Sequence, residues 1–242
     1  MLTSCGSTKD IVYFQDEPLN NAVLKANETE LTYKTGDILT INVSALDPDA
    51  VRPFNLPIAT YGSLDNSNED NSRMQSYLIN NDGSIQFPVL GSIILKGLTR
   101  TEATEMLTKK LEDYLKNPIV NIRLQNFTIT VLGEVNRPGT YTVNDERVTF
   151  SEALGLAGDL TIFGKRNNIL LIREVEGEKR YAKLDLTSVN IVNSNNYYLS
   201  QNDVLYVEPN KAKARSSNYT QNNSVLIAAV GTLVTIIAII TN

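Results

Sequence analysis

Two Thr-x-x-Glu boxes constrain this chain more than anything else in it. Thr99-Arg100-Thr101-Glu102 and Thr149-Phe150-Ser151-Glu152 each put a hydroxyl just before a helix and a carboxylate three residues on. That pair satisfies orphan amides at a helix start. After the first box, Ala103, Met106, Leu107, Leu111, Tyr114 and Leu115 recur at helical spacing until Asn117-Pro118 ends the run. The second box opens a shorter helix through Ala157, closed by Gly158. Strand-like runs flank both. The chain is therefore read as α+β, in two compact units.

In the first unit, Tyr33-Lys34-Thr35-Gly36-Asp37 is a turn into a strand, Ile38 to Val43, with Leu39, Ile41 and Val43 on one face. Asp47 to Ser76 carries three prolines and an Asn/Ser/Asp-rich stretch, and reads as a long loop. Tyr77 to Asn80 and Ile85 to Val89 flank Asp82-Gly83, a tight hairpin signal. Ser92 to Leu95 precedes the helix, and Ile119 to Leu124 follows it. In the second unit, Phe127 to Val135 and Tyr141 to Val143 precede the helix. Asn168 to Val175, Lys179 to Leu184 and Val204 to Val207 follow it. Strand-strand-helix-strand-strand-strand suits a β-grasp arrangement.

Composition removes most catalytic chemistry. The 242 residues include no His, no Trp and one Cys. A Ser-His or Cys-His nucleophile pair is thereby impossible, and a zinc site has no soft ligand beyond Cys5. No catalytic residue, metal site or cofactor is expected. The formal charge of −5, without a basic stripe, argues against nucleic acid as partner. Gly158 to Lys165 imitates a phosphate-binding loop, but it has five residues between its glycines and Arg166 after the Lys. It is read as a plain connection.

The two ends carry targeting signals. Leu2-Thr3-Ser4-Cys5-Gly6 has the form of a bacterial lipobox, which makes Cys5 the expected lipid attachment point. Four residues precede Cys5, fewer than the apolar stretch of about 7–15 residues in a signal peptide. Either the chain is trimmed at its start or the match is accidental, and the rest of the chain favours the first. At the other end, Val225 to Ile240 runs without a charge and as a helix would measure about 24 Å. It reads as a short transmembrane helix suited to a thin bilayer. Ser224, Ala228, Gly231, Thr235 and Ala238 put small or polar residues on one stripe of it, the pattern of a helix-association or channel-lining face. Pro209 to Asn223 reads as a linker.

Taken in order, these motifs resemble the polysaccharide biosynthesis/export family, the Wza-type outer-membrane translocons. Tyr33, Gly36-Asp37, Leu39, Asp82-Gly83, Ile85, Phe87-Pro88, Leu90-Gly91, Ile93, Gly97, Thr99, Glu102, Pro118 and Val120 resemble its export domain. Val131 to Val135, Pro138-Gly139, Tyr141, Ala153-Leu154, Ala157-Gly158, Asp203-Val204 and Tyr206-Val207 resemble a soluble-ligand-binding β-grasp (SLBB) domain. The resemblance divides the chain into a lipidated lead (1–30), an export domain (31–125), an SLBB domain (126–208), a linker (209–223) and the transmembrane helix (224–242).

The resemblance implies a ring-shaped homo-oligomer at the bacterial outer membrane, with its main domains in the periplasm. It implies polysaccharide as cargo, outer-membrane lipid as surroundings, an inner-membrane co-polymerase or tyrosine-kinase-type partner, and no catalysis. The chain departs from the family in having one β-grasp unit where the best-known relatives carry more. Its last helix is also apolar nearly all round. Two other readings compete. One is a monomeric membrane-tethered saccharide-binding lipoprotein, for which Tyr197 and Tyr198 are the adjacent tyrosine pair. The other is a glycan-cleaving enzyme using carboxylates such as Glu174 and Glu176.

Overall fold

The computed structural model describes residues 11–16, 30–56, 59–60, 72–73, 75–175, 177–217, 231–232 and 235–240. In chain order, the first domain holds β1 (Ile38–Ser44), β2 (Ala59–Thr60), β3 (Ser72–Arg73), β4 (Tyr77–Leu78), β5 (Ser84–Phe87), β6 (Gly91–Ile94), α1 (Arg100–Leu111) and β7 (Ile119–Leu124). Strand β1 is central. It pairs antiparallel with β7 from Leu39↔Leu124 to Ser44↔Ile119, and with β4 at Ile38↔Leu78 and Leu39↔Tyr77. The alternation in β1 drives Leu39, Ile41 and Val43 inward, where Ala103, Leu107 and Leu111 of α1 close over them. Each fully buried aliphatic side chain of this kind contributes about 1.5–3 kcal/mol.

The capping box of α1 forms as expected. The Thr99 amide donates to Glu102 Oε2 at 2.8 Å, and the Glu102 amide donates to Thr99 Oγ1 at 3.2 Å. The helix ends at Leu111, earlier than its apolar spacing suggests, and Leu115 reaches the core from the following turn. The Asp82-Gly83 turn is present, with Gly83 at φ +83° and Asn80 N–H bonded to Ser84 O at 2.8 Å. Its two arms then part. β4 joins β1, while β5 pairs with β6 through the turn Pro88–Gly91.

The stretch read as a long loop is partly built. A 3₁₀ turn at Arg52–Phe54 buries Val51 and Phe54, and β2 pairs with β3. The Asn55 side chain accepts from Val43 N–H at 2.8 Å and donates to Val43 O at 2.9 Å. One amide thus stands in for a neighbouring strand beyond the end of β4.

The second domain holds β8 (Thr128–Gly133), β9 (Gly139–Thr142), β10 (Val148–Thr149), α2 (Phe150–Leu156), β11 (Gly164–Val175), β12 (Glu178–Leu184), β13 (Tyr198–Leu199) and β14 (Val204–Pro209). Five strands form one sheet in the order β12-β11-β14-β8-β9. All its pairings are antiparallel except β14 with β8, so the sheet is mixed. Helix α2 starts on the second capping box and buries Phe150, Ala153 and Leu154 against the sheet. β11 begins at Gly164, before the expected Asn168, because its pairing with β14 shifts register between Gly164 and Ile169. That irregularity turns Arg166 inward, where it is buried and donates to Gly164 O at 2.6 Å.

One expectation for the C-terminal region is corrected. Among the described residues, no helix is long and apolar enough to cross a membrane. The fold of the described residues is therefore α+β with mixed sheets, and the transmembrane helix expected over 224–242 is not found among them. Of that stretch only 231–232 and 235–240 are described, and the uncharged run from Val225 to Ile240 is itself shorter than the about 20 residues of a typical span. Within the stretch read as a linker lies a short polar helix, α3 (Lys211–Ser217), that buries none of its side chains.

Candidate functional site

The expected site residues lie apart. Cys5, Ser224 and Ala228 lie outside the described residues. Gly231, Thr235 and Ala238 lie in helical turns and are exposed. The Thr235 hydroxyl donates to Gly231 O at 2.7 Å, so its proton is used within its own helix. Glu174 is exposed opposite Lys179, and Glu176 lies outside the described residues. Tyr197 packs on the core, while Tyr198 stands edge-on to it beneath the Arg147 guanidinium. Among the described residues, no group of three or more His, Cys, Asp or Glu could hold a metal ion.

What the fold does assemble is a joint between the domains. Leu124, at the end of β7, packs against both cores. Two residues on, the Asn126 side chain accepts from Ile38 N–H at 2.9 Å and donates to Gly36 O at 3.0 Å. Arg100, at the start of α1, pairs with Glu146 of the second domain at 3.0 Å. Asp37 is buried there at 3 % exposure. It accepts from Lys34 N–H at 2.9 Å and from the side chain of Gln201. Beside it, burial pushes the Tyr33 phenol up to about 12. A short connection carrying this many cross-domain bonds makes a stiff joint.

Asp37 gives that joint a pH dependence. Burial raises its carboxyl above the usual carboxylate range, against the opposing pull of Lys34 and Gln201. Below that range both folded and unfolded chains are protonated. As pH rises, the unfolded chain releases its proton first, so stability falls until the folded carboxyl ionises as well. Asp37→Asn keeps an acceptor for Lys34 N–H and removes the charge. It is expected to raise the melting temperature at neutral pH and to leave it near the wild-type value at about pH 3. Thermal melts across pH check this. An equal change at both ends would show that the carboxylate's ionisation plays no part.

A second feature, missed in the sequence, is an N-terminal strap. Residues Ile11 to Asp16 show no apolar period, yet they dock on the second domain. Phe14 N–H donates to Leu186 O at 3.0 Å, and Gln15 N–H to Thr187 O at 2.7 Å. The Tyr13 hydroxyl donates to Asp159 Oδ1 at 2.6 Å, and the Arg166 guanidinium lies 5.8 Å from the Tyr13 ring centre. Asp16 takes the Ser188 hydroxyl and the Val189 amide, each at 2.6 Å. These bonds hold the Asp16 carboxyl below its ordinary range. Phe14 sits at φ +51°, a conformation an aromatic residue adopts only when its surroundings impose it.

A third feature closes the sheet near β14. Asp203, wholly buried, receives Arg173 Nε at 3.0 and 3.1 Å and an Arg173 terminal nitrogen at 2.6 Å. It also accepts from Ser200 N–H at 2.7 Å. The same Arg173 nitrogen reaches Tyr198 O at 3.0 Å. Asp203 therefore clamps the turn before β14 to the C-terminal end of β11, so its place in the family pattern is structural.

This architecture is that of a two-domain protein with an export-type first unit and a β-grasp second unit. Residues 25–125 match the family model described as polysaccharide biosynthesis/export protein, and residues 128–182 match the SLBB domain. The chain thus carries an export-family match followed by an SLBB match. Over 183 residues it is 29 % identical to the EPS I polysaccharide export outer membrane protein EpsA of Ralstonia nicotianae, covering 71 % of this chain and 46 % of the relative. Over 165 residues it is 32 % identical to the protein of the same name from Ralstonia solanacearum, covering 65 % and 42 %. The chain thus spans less than half the length of either curated relative.

Proposed function

We propose that this protein is an outer-membrane component of a bacterial polysaccharide export channel, working as a passive conduit in a ring of identical copies. The observation that carries the reading is the matched domain pair, held in fixed relation by the Leu124–Asn126 joint. A conduit wall needs such a rigid protomer more than it needs reactive side chains. Copies assemble through the two α+β units. Apolar side chains left open on the first domain support this: Leu46 and Ile119 near one end of the β1–β7 pair, and Val89 and Ile94 on the β5–β6 hairpin.

A lipid on Cys5 holds the assembly at the membrane, with the two domains in the periplasm. Six peptide steps separate Cys5 from Ile11, so the acyl chains enter the bilayer within about 20 Å of the strap. The strap therefore makes the second domain the membrane-proximal one. An inner-membrane co-polymerase delivers the glycan.

Deleting the gene should abolish surface polysaccharide, and light scattering of the full chain in mild detergent should give one ring-sized mass. Ile119→Asp and Ile94→Asp should lower that mass without unfolding the chain. Loss of polysaccharide with a monomer at every concentration would favour the tethered saccharide-binding lipoprotein. Unchanged surface polysaccharide would remove the export reading.

A further inference from the structure

The β11–β12 hairpin runs past the edge of the core, and there its inward face changes character. Leu171, Arg173 and Val175 alternate along β11 on the side that carries the core residue Ile169. Their partners across the ladder are Ala182, Arg180 and Glu178. With Asn195 and Asn196 from the segment before β13, the hairpin encloses an open cavity of about 550 Å³. That lies within the range of about 300–1,000 Å³ usual for small-ligand sites.

The charge in this cavity is unbalanced. Arg173 and Arg180 sit directly opposite each other, a pairing of like charges that costs stability in an antiparallel ladder. Asp203 neutralises Arg173. Arg180 is exposed and has no ion-pair partner among the described residues. Among the described residues, no carboxylate lines the cavity. Glu178 shares the face of Arg180 but makes no ion pair with it, and Lys179 and Lys183 belong to the opposite face of β12. The chain as a whole carries −5, so its long-range field repels polyanions. Only a local cationic point such as this one holds them.

We infer that this cavity is a subsite for an acidic sugar residue of a glycan, its carboxylate paired with the Arg180 guanidinium. A guanidinium presents a planar fork that matches a carboxylate with two parallel hydrogen bonds. The neighbouring Asn196 amide offers both a donor and an acceptor to ring hydroxyls. The inference deepens the export reading by naming the class of cargo, and it rests on that reading only for the source of the glycan.

The test is titration of the full chain with sodium tetragalacturonate, maltotetraose and sodium acetate, followed by NMR at Leu171, Val175 and Ala182. Tetragalacturonate should shift these resonances and bind about tenfold more tightly than maltotetraose. Arg180→Gln should remove about that tenfold preference, while Arg180→Lys retains part of it. Because Arg180 is exposed and repelled by Arg173, the variants should fold. Shifts absent from the cavity, equal binding of the neutral glycan, or unchanged affinity in Arg180→Gln would each overturn the inference. Acetate binding as tightly as tetragalacturonate would reduce the site to a plain anion site and overturn the saccharide assignment. An Arg180→Gln protein that keeps its affinity but dimerises would mark Arg180 as a guard of the exposed strand edge. Surface polysaccharide in the deletion strain separates the two readings. Polysaccharide lost on deletion but no binding in vitro would sink the subsite alone, whereas binding without an export defect would sink the export reading alone.

Discussion

Alanine at position 133 is expected to unfold the second domain or leave it marginal. Gly133 ends β8 at φ +91°, where a side chain is strained regardless of space. There is also no space: a Cβ there would stand 2.0 Å from Val207 O and 2.9 Å from Val207 C. That carbonyl is main chain, held in place by the Glu134 amide at 3.0 Å within the parallel β14–β8 ladder. It cannot yield as a flexible side chain would. Strain of about 1–3 kcal/mol and overpacking of at least about 1–3 kcal/mol both fall on one position. A domain of this size has a margin of only about 5–15 kcal/mol. Urea unfolding followed by circular dichroism should show the loss. Gly155→Ala supplies the contrast. Gly155 lies inside α2 with nothing within 4 Å of where a Cβ would stand, so alanine there should stabilise by about 0.5–1 kcal/mol. A Gly133→Ala protein with wild-type stability would mean that β8 and β14 are not locked at this point.

Removing the Asp203 carboxylate is expected to cost about 3–5 kcal/mol. Asp203→Ala leaves the Arg173 guanidinium, only 16 % exposed, with its charge unpaired beside the sheet. It also strips the Ser200 amide of its acceptor just before β14. Most of the loss is the uncompensated cation, so the double variant Asp203→Ala/Arg173→Met should recover a large part of it. Denaturant midpoints of the two single variants and the double variant measure the coupling. If the losses simply add, the ion pair is not what holds the turn to β11.

How far the sequence led depends on the range over which each feature is encoded. The capping boxes are signals four residues long, and both formed with their reciprocal bonds. The Leu39, Ile41 and Val43 alternation is equally local, and those residues face the core. The order of the short motifs, with the lipobox-like Cys5 before them and the apolar run after them, was enough to show the resemblance to the polysaccharide biosynthesis/export family. The helix ends and strand starts drifted. Leu115 continues an apolar spacing that the chain satisfies from a turn, and Arg166 hides in a bulge that no period announces.

The errors came from features in which distant segments meet. Val51 and Phe54 looked like scattered residues in a proline-rich loop, and they are core because the β1–α1 layer leaves room for them. The strap was invisible because Tyr13 and Asp159 are 146 positions apart and nothing near Tyr13 points to its acceptor. The cationic cavity likewise depends on Arg173 and Arg180 being paired across a ladder.

By itself, then, the sequence determined the α+β class, the two helix starts, the turn at Asp82-Gly83 and the lack of His-based chemistry. All are set by residue type and short-range backbone preference. Tertiary structure alone decided that β14 runs parallel to β8, that Asn126 and Asp37 stiffen the joint, that the strap binds the second domain, and that Asp203 neutralises one of two facing arginines. Those outcomes depend on which surfaces meet after collapse. Burial and pairing energies summed over the whole fold choose among those meetings, and no local period records the choice.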